Sequence, residues 1–227
     1  MILQFRYSHM SRPQPAGLKP RKKPVQSRSA ATVEAIHTAT IQVLLASGPA
    51  QLTTTRVAQR AGVSVGTMYQ YYPHKEALLF AIVERKLGMI EEAMRLAVAE
   101  LAGRNLTEIA QGIAQAWLDA KMADLTASRA IYGIAAEFDI SEPILQCTRR
   151  MVEALEQLLI SAPDAHFDDP SSTAFMLAAL MGGSVRAVME AGADPDDLAR
   201  MRRELPRACL GYLELANRGH LAPVGPS

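Results

Sequence analysis

Two cysteines in 227 residues, Cys147 and Cys209, stand far apart among apolar neighbours with no partner at metal-ligand spacing. That excludes a disulfide framework and a thiolate metal centre; the pair reads as buried, inert thiols suited to a reducing cytosol. No apolar run approaches the roughly 20 residues a bilayer-spanning helix needs, so no membrane partner is expected. The opening MILQFRYSHM lacks a signal-peptide apolar core and cleavage site. A cytoplasmic protein is expected, with Met10 as an alternative translation start. Phosphate-cradling glycine loops, Gly-x-Ser-x-Gly and His-Glu-x-x-His are missing. The five His are scattered, and His166-Phe167-Asp168-Asp169 reads as a polar loop before Pro170. No catalytic site, no cofactor and no metal are expected. No segment alternates with period two for long enough to compete as a strand, which leaves an all-α fold.

Acidic side chains nearly vanish from one part of the chain. Residues 1–80 hold ten Lys and Arg against Glu34 and Glu76, a balance of +8. Residues 81–227 hold fourteen against twenty-one, a balance of −7, so the net +1 conceals a divided molecule. A basic part joined to an acidic one is the pattern of a phosphate-binding domain carrying a domain of another purpose. Lys19, Arg21, Lys22, Lys23 and Arg28 lie in a proline-rich arm expected to have no fixed structure alone and to add DNA affinity by counterion release. A solvated tail would account for part of the asymmetry. With 49% hydrophobic side chains the chain can bury one large core or two smaller ones.

Residues 53–75 read TTTRVAQRAGVSVGTMYQYYPHK. Thr53 or Thr54 can cap a short helix with Val57 and Ala58 on one face. Gly62 tolerates the positive φ of a helix end, and Ser64 can cap the next helix. That second short helix, about Val65 to Tyr71, carries exposed-type Thr67, Tyr69, Gln70 and Tyr71, and Pro73 ends it. Helix, glycine turn and polar, aromatic helix form the pattern whose second helix enters the DNA major groove. An ordinary αα-hairpin would carry better core material on that second helix.

The segment LTTTRVAQRAGVSVGTMYQYYPHKEALL resembles the DNA-binding part of the TetR family of bacterial regulators. Met68 stands where Leu or Ile is usual, Tyr72 for Phe and His74 for Ser or Asn, each keeping size or polarity. The likeness covers about Ala35 to Phe80. It implies a homodimeric regulator, most often a repressor, that a small, largely apolar effector releases from a double-stranded DNA operator. It implies phosphate contacts by Thr54, Tyr71 and Lys75, and a groove-facing set of Thr55, Val65, Gly66, Thr67, Tyr69 and Gln70, with Ser64 at the turn. Val65 and Thr67 methyls suit a thymine methyl, and Gln70 suits adenine. An architectural DNA-binding protein without an effector is the alternative; an enzyme is disfavoured.

Apolar periodicity predicts further helices over about Ser29–Ala46, Lys75–Ala102, Leu106–Met122, Thr126–Phe138, a segment opened by Ser141-Glu142-Pro143, Ser171–Ala191 and Pro195–Asn217. Pro206 should kink the last of these. The expected division is a basic arm at 1–27, a helix-turn-helix domain at 28–80 and an effector-binding and dimerisation domain at 81–227. Met89, Trp117, Met122, Tyr132, Phe138, Met151, Phe175 and Met176 are candidate pocket residues, because Met and aromatic side chains adapt to apolar ligands. Plain core is the competing reading for each. The last two helices are apolar on more than one side. Ala178, Gly182, Gly183 and Tyr212 are therefore candidates for the dimer interface, where the resembled family forms a four-helix contact.

Overall fold

Ser, Thr, Asn and Asp immediately before helix starts set the architecture. The computed structural model describes residues 27–217, which form nine helices. They are α1 (Ser27–Ser47), α2 (Thr54–Ala61), α3 (Val65–Tyr71), α4 (Lys75–Leu101) and α5 (Leu106–Met122). Then come α6 (Leu125–Glu137), α7 (Ser141–Ile160), α8 (Pro170–Glu190) and α9 (Pro195–Ala216). Asn105 opens α5 with a reciprocal capping box to Glu108. Asp169 and Asp194 cap α8 and α9, each followed by proline at the first helical position. The start of α7 departs from expectation: Ser141 lies inside the helix, Ile140 is the cap residue, and the Asp139 carboxylate accepts the Ser141 N–H at 3.0 Å.

Two apolar cores result. One gathers Ile36, Leu52, Val57, Met68, Leu78 and Ile82 from α1 to α4 and the connecting loops, completed by Ala130, Ile134 and Ile140 from α6 and its exit. The other joins α4, α5, α7, α8 and α9 through Ile113, Leu118, Leu158, Leu177, Met181 and Leu213. The expected boundary at residue 80 therefore falls inside a continuous helix. The early turns of α4 belong to the first core, and Ile90 and Met94 belong to the second.

By length and mean hydropathy α8 could cross a bilayer, against the expectation that no segment comes close. Its Leu177, Met181 and Val185 are instead fully buried against neighbouring helices. Pro206 does lie inside α9. Both thiols are buried, and desolvation pushes Cys209 up to about 12 and Cys147, beside Glu91, up to about 11.

Candidate nucleic-acid interface

Thr53 is extended, and its hydroxyl accepts the Arg56 N–H at 3.2 Å, starting α2. Gly62 ends α2 at φ 69°, a left-handed conformation that costs a side-chain-bearing residue about 1–2 kcal/mol. The Ser64 hydroxyl accepts the Thr67 N–H at 2.9 Å and caps α3. Met68, fully buried, and Tyr71, 9% exposed, pin α3 to the core. The opposite face presents Val65, Gly66, Tyr69 and Gln70 to solvent, with Thr67 partly exposed. A Cβ on Gly66 would meet only Ser64 Oγ at 3.7 Å, so nothing in this chain requires glycine there.

Not all of the expected contact set points outward. Tyr71 packs inward beside Tyr72, their ring centroids 6.5 Å apart, because the α3 helix must spend two of its seven residues on anchoring. Thr54 is buried as well; its hydroxyl donates to the Tyr69 hydroxyl at 3.3 Å and so steadies an exposed aromatic. Thr55 is exposed beside them, and Lys75, at the first position of α4, holds its ammonium 5.6 Å from the Phe138 ring centroid. Arg28 is the second residue of α1, while Lys19, Arg21, Lys22 and Lys23 lie outside the described residues.

A polar network behind α3, buried at His37 and Tyr72 and open at Arg85 and Glu34, carries no obvious sequence signature. His37 of α1 lies 2.7 Å from the Tyr72 hydroxyl and 3.2 Å from the Arg85 guanidinium of α4, which also pairs with Glu34. Arginine can only donate, so His37 Nδ1 accepts and Nε2–H donates to Tyr72. The network ties the end of α3 to α1 and α4. Burial first, then the Arg85 charge, hold His37 down to about 4 from its ordinary 6.5, against the pull of Glu34. An unfolded chain would bind that proton near 6.5, so falling pH from 6.5 to 4 favours unfolding. We expect up to about 3 kcal/mol of stability to be lost across that window, at about 1.4 kcal/mol per tenfold change. Thermal melts of His37→Gln should show a flatter acid limb; an acid limb identical to the parent's would take His37 out of the balance.

The expected pocket residues divide. Trp117 is 5% exposed and donates from Nε1 to the Met181 carbonyl at 3.0 Å. Met122, Tyr132 and Met151 pack partly buried against the same second core. Phe138 instead joins the first core. Met89, Phe175 and Met176 are 54%, 57% and 49% exposed, on outward helix faces that enclose nothing within one chain. A groove of about 630 Å³ lies between the end of α4, α5 and α9, lined by charged and polar Glu100, Arg104 and Glu108 among others. It contains none of the expected pocket residues. Of the expected interface, Ala178 is buried inward, Gly182 and Tyr212 are half-buried, and Gly183 is exposed.

Two lysines, one buried and one partly buried, stand outside the expected site residues. Lys86 is 5% exposed and donates to the Ala120 carbonyl at 3.4 Å. Lys121 places its ammonium 4.6 Å from the Trp117 ring centroid. Lys86 sits at helical spacing between Ile82 and Ile90 on an apolar stripe, and that spacing is the one sequence signal of its burial.

Residues 36–82 match the family described as bacterial regulatory proteins, tetR family, and residues 105–213 match the tetracyclin repressor-like C-terminal domain. The fatty acid metabolism regulator protein of Bacillus subtilis (strain 168) is 33% identical over 64 residues, 28% of this chain and 33% of that protein. The chain therefore spans about a third of the length of that curated relative. The fold is shared with the fatty acid degradation regulator FadR from Bacillus halodurans, at 19% identity and a TM-score of 0.64 over 84% of this chain and 97% of that one. It is shared also with SmeT in its triclosan complex, at 22% identity and a TM-score of 0.64 over 87% and 98%.

Proposed function

The chain belongs to the tetR family of bacterial regulatory proteins and is a DNA-binding transcriptional regulator, and from that premise we propose a cytoplasmic homodimeric repressor, released from its operator by a small molecule held in the second core. The observation that carries the reading is α3, capped at Ser64, anchored by Met68 and Tyr71, and presenting a solvent-facing row of side chains. Thr55, Val65, Gly66, Thr67, Tyr69 and Gln70 form the base-reading surface, with Gly66 admitting close approach of the DNA. Lys75 and the basic arm, Lys19 to Arg28, supply phosphate contacts. Thr54 and Tyr71 act from behind, holding Tyr69 and α3 in place.

The transmitter is α4, which enters both cores, aided by α6, whose Ile134 is buried in the DNA-binding core. Two recognition helices must stand roughly 34–36 Å apart to meet successive major grooves. A ligand that favours another spacing by fiftyfold in affinity supplies about 2.3 kcal/mol of coupling. SmeT is a relative in fold that binds triclosan, which supports placing an effector in this domain. Trp117, Met122, Tyr132 and Met151 are the side chains proposed to surround it.

Selection of bound DNA from a random pool, followed by titration of the selected operator, tests the reading. Gln70→Ala should relax preference at one base position at a cost of about 1–3 kcal/mol. Lys75→Ala should weaken all sequences alike and flatten the salt slope. If neither variant changed affinity or preference on the selected operator, the recognition surface would lie elsewhere.

A further inference from the structure

Lysine is rarely buried without a partner, and here a buried lysine lies near a partly buried one. Lys86 of α4 donates to the carbonyl of Ala120, the residue before Lys121 on α5, and, beside desolvation, its charge lowers the Lys121 pKa. Among the described residues no carboxylate forms an ion pair with either. Asp124, whose charge reaches Lys86, is engaged in capping α6 through the Ala127 N–H at 2.8 Å. An ammonium has three donors, and among the described residues Lys86 bonds a single carbonyl, at 3.4 Å. Lys121 has the Trp117 ring. Trp117 belongs to the second core together with Ile90, one turn beyond Lys86 on α4, and Met122, Tyr132 and Met151 pack against that core. Desolvation depresses both lysines, Lys121 to about 8. Neither cation has an ion-pair partner among the described residues, Asp124 acts on Lys86 only through its charge, and Lys121 remains partly open to solvent.

We infer that Lys86 and Lys121 together form the headgroup site for an amphipathic organic anion, whose apolar part lies against Trp117 and its neighbours. A carboxylate would accept from both ammonium groups and offset the burial of each. The inference rests on reading this domain as the effector-binding one. A purely structural role, with the lysine stems covering apolar surface and the charges tolerated, makes the opposite predictions.

Trp117 is the sole tryptophan, so its emission reports on this site alone. The full chain should be titrated with octanoate, octyl phosphate, octanamide and octylamine. Octanoate or octyl phosphate should change the emission saturably, and which of the two binds tighter identifies the anion. The amide and the amine should bind at least about tenfold more weakly, the loss of one charge-assisted contact. Lys86→Met and Lys121→Met should each weaken the favoured anion about tenfold or more while raising Tm, because replacing an unpaired buried charge by an apolar side chain of similar length stabilises a fold. Equal anion binding by parent and both variants, preference for the amine or amide, or no saturable change with either anion overturns the inference. Operator release separates it from the broader reading: release by octanamide and not by octanoate would keep a ligand-responsive regulator and remove the anion site. A parent protein that selects no DNA would remove the regulator reading even if octanoate binds.

Discussion

Gly183→Arg leaves the isolated chain folded and lowers operator affinity by roughly a hundredfold to ten-thousandfold, the range lost when two linked sites become one. A side chain at Gly183 meets no atom within 4 Å, so one copy accommodates arginine in open solvent. The surrounding face is nevertheless apolar. Phe175 and Met176 of α8 and Leu215 of α9 are 57%, 49% and 61% exposed, with exposed Ala179 and Ala208 between them. A second copy laid on this face would bury those side chains and bring its own helix against Gly183, where an unpaired guanidinium is costly. The proposed dimer would then dissociate, leaving each monomer to meet one half-site. Sedimentation together with operator titration checks both halves of the expectation. A dimeric Gly183→Arg protein with parental operator affinity would move the interface off α8 and α9.

Trp117→Ala lowers stability by about 3–5 kcal/mol, the range for removing a large aromatic from a core. The ring is 5% exposed, and its N–H bonds the Met181 carbonyl, so one side chain joins α5 to α8 by packing and by a hydrogen bond. Truncation also removes the surface over which the Lys121 ammonium sits. Trp117→Phe, which keeps most of the volume, should recover more than half of the loss. Urea unfolding measured by far-UV circular dichroism checks both. An unchanged midpoint in the alanine variant would mean the core closes over the gap. The substitution is therefore a poor probe of ligand response, since it disturbs the whole second core.

Legibility in the sequence tracks how local the chemistry is. Thr53, Gly62 and Ser64 act on groups two to five residues away, and the helix bounds they set over 53–75 are the ones observed. The division of α3 into anchoring and outward faces was less legible. Tyr69 and Tyr71 are equally plausible on either side until packing turns one outward and one inward. Pocket and interface residues depend on how long helices rotate against each other. That is why Phe175 and Met176 stand outside while Trp117, similar in chemistry, lies within. His37 and Arg85 are 48 residues apart and meet only because α1 crosses α4.

The passage of α6 into the DNA-binding core has a consequence for synthesis. Ala130, Ile134 and Ile140 close an apolar cluster that begins at Ile36, so the chain must leave the ribosome through residue 140 before that cluster is complete. Helices α1 to α3, which include the proposed recognition helix, emerge first, yet their packing waits on α6. A nascent chain that has exposed α1 to α3 alone still has apolar surface uncovered and α3 unsupported. On the proposed function, operator recognition would thus become available only to chains that have already built α6, and a prematurely ended product would lack the means to occupy an operator.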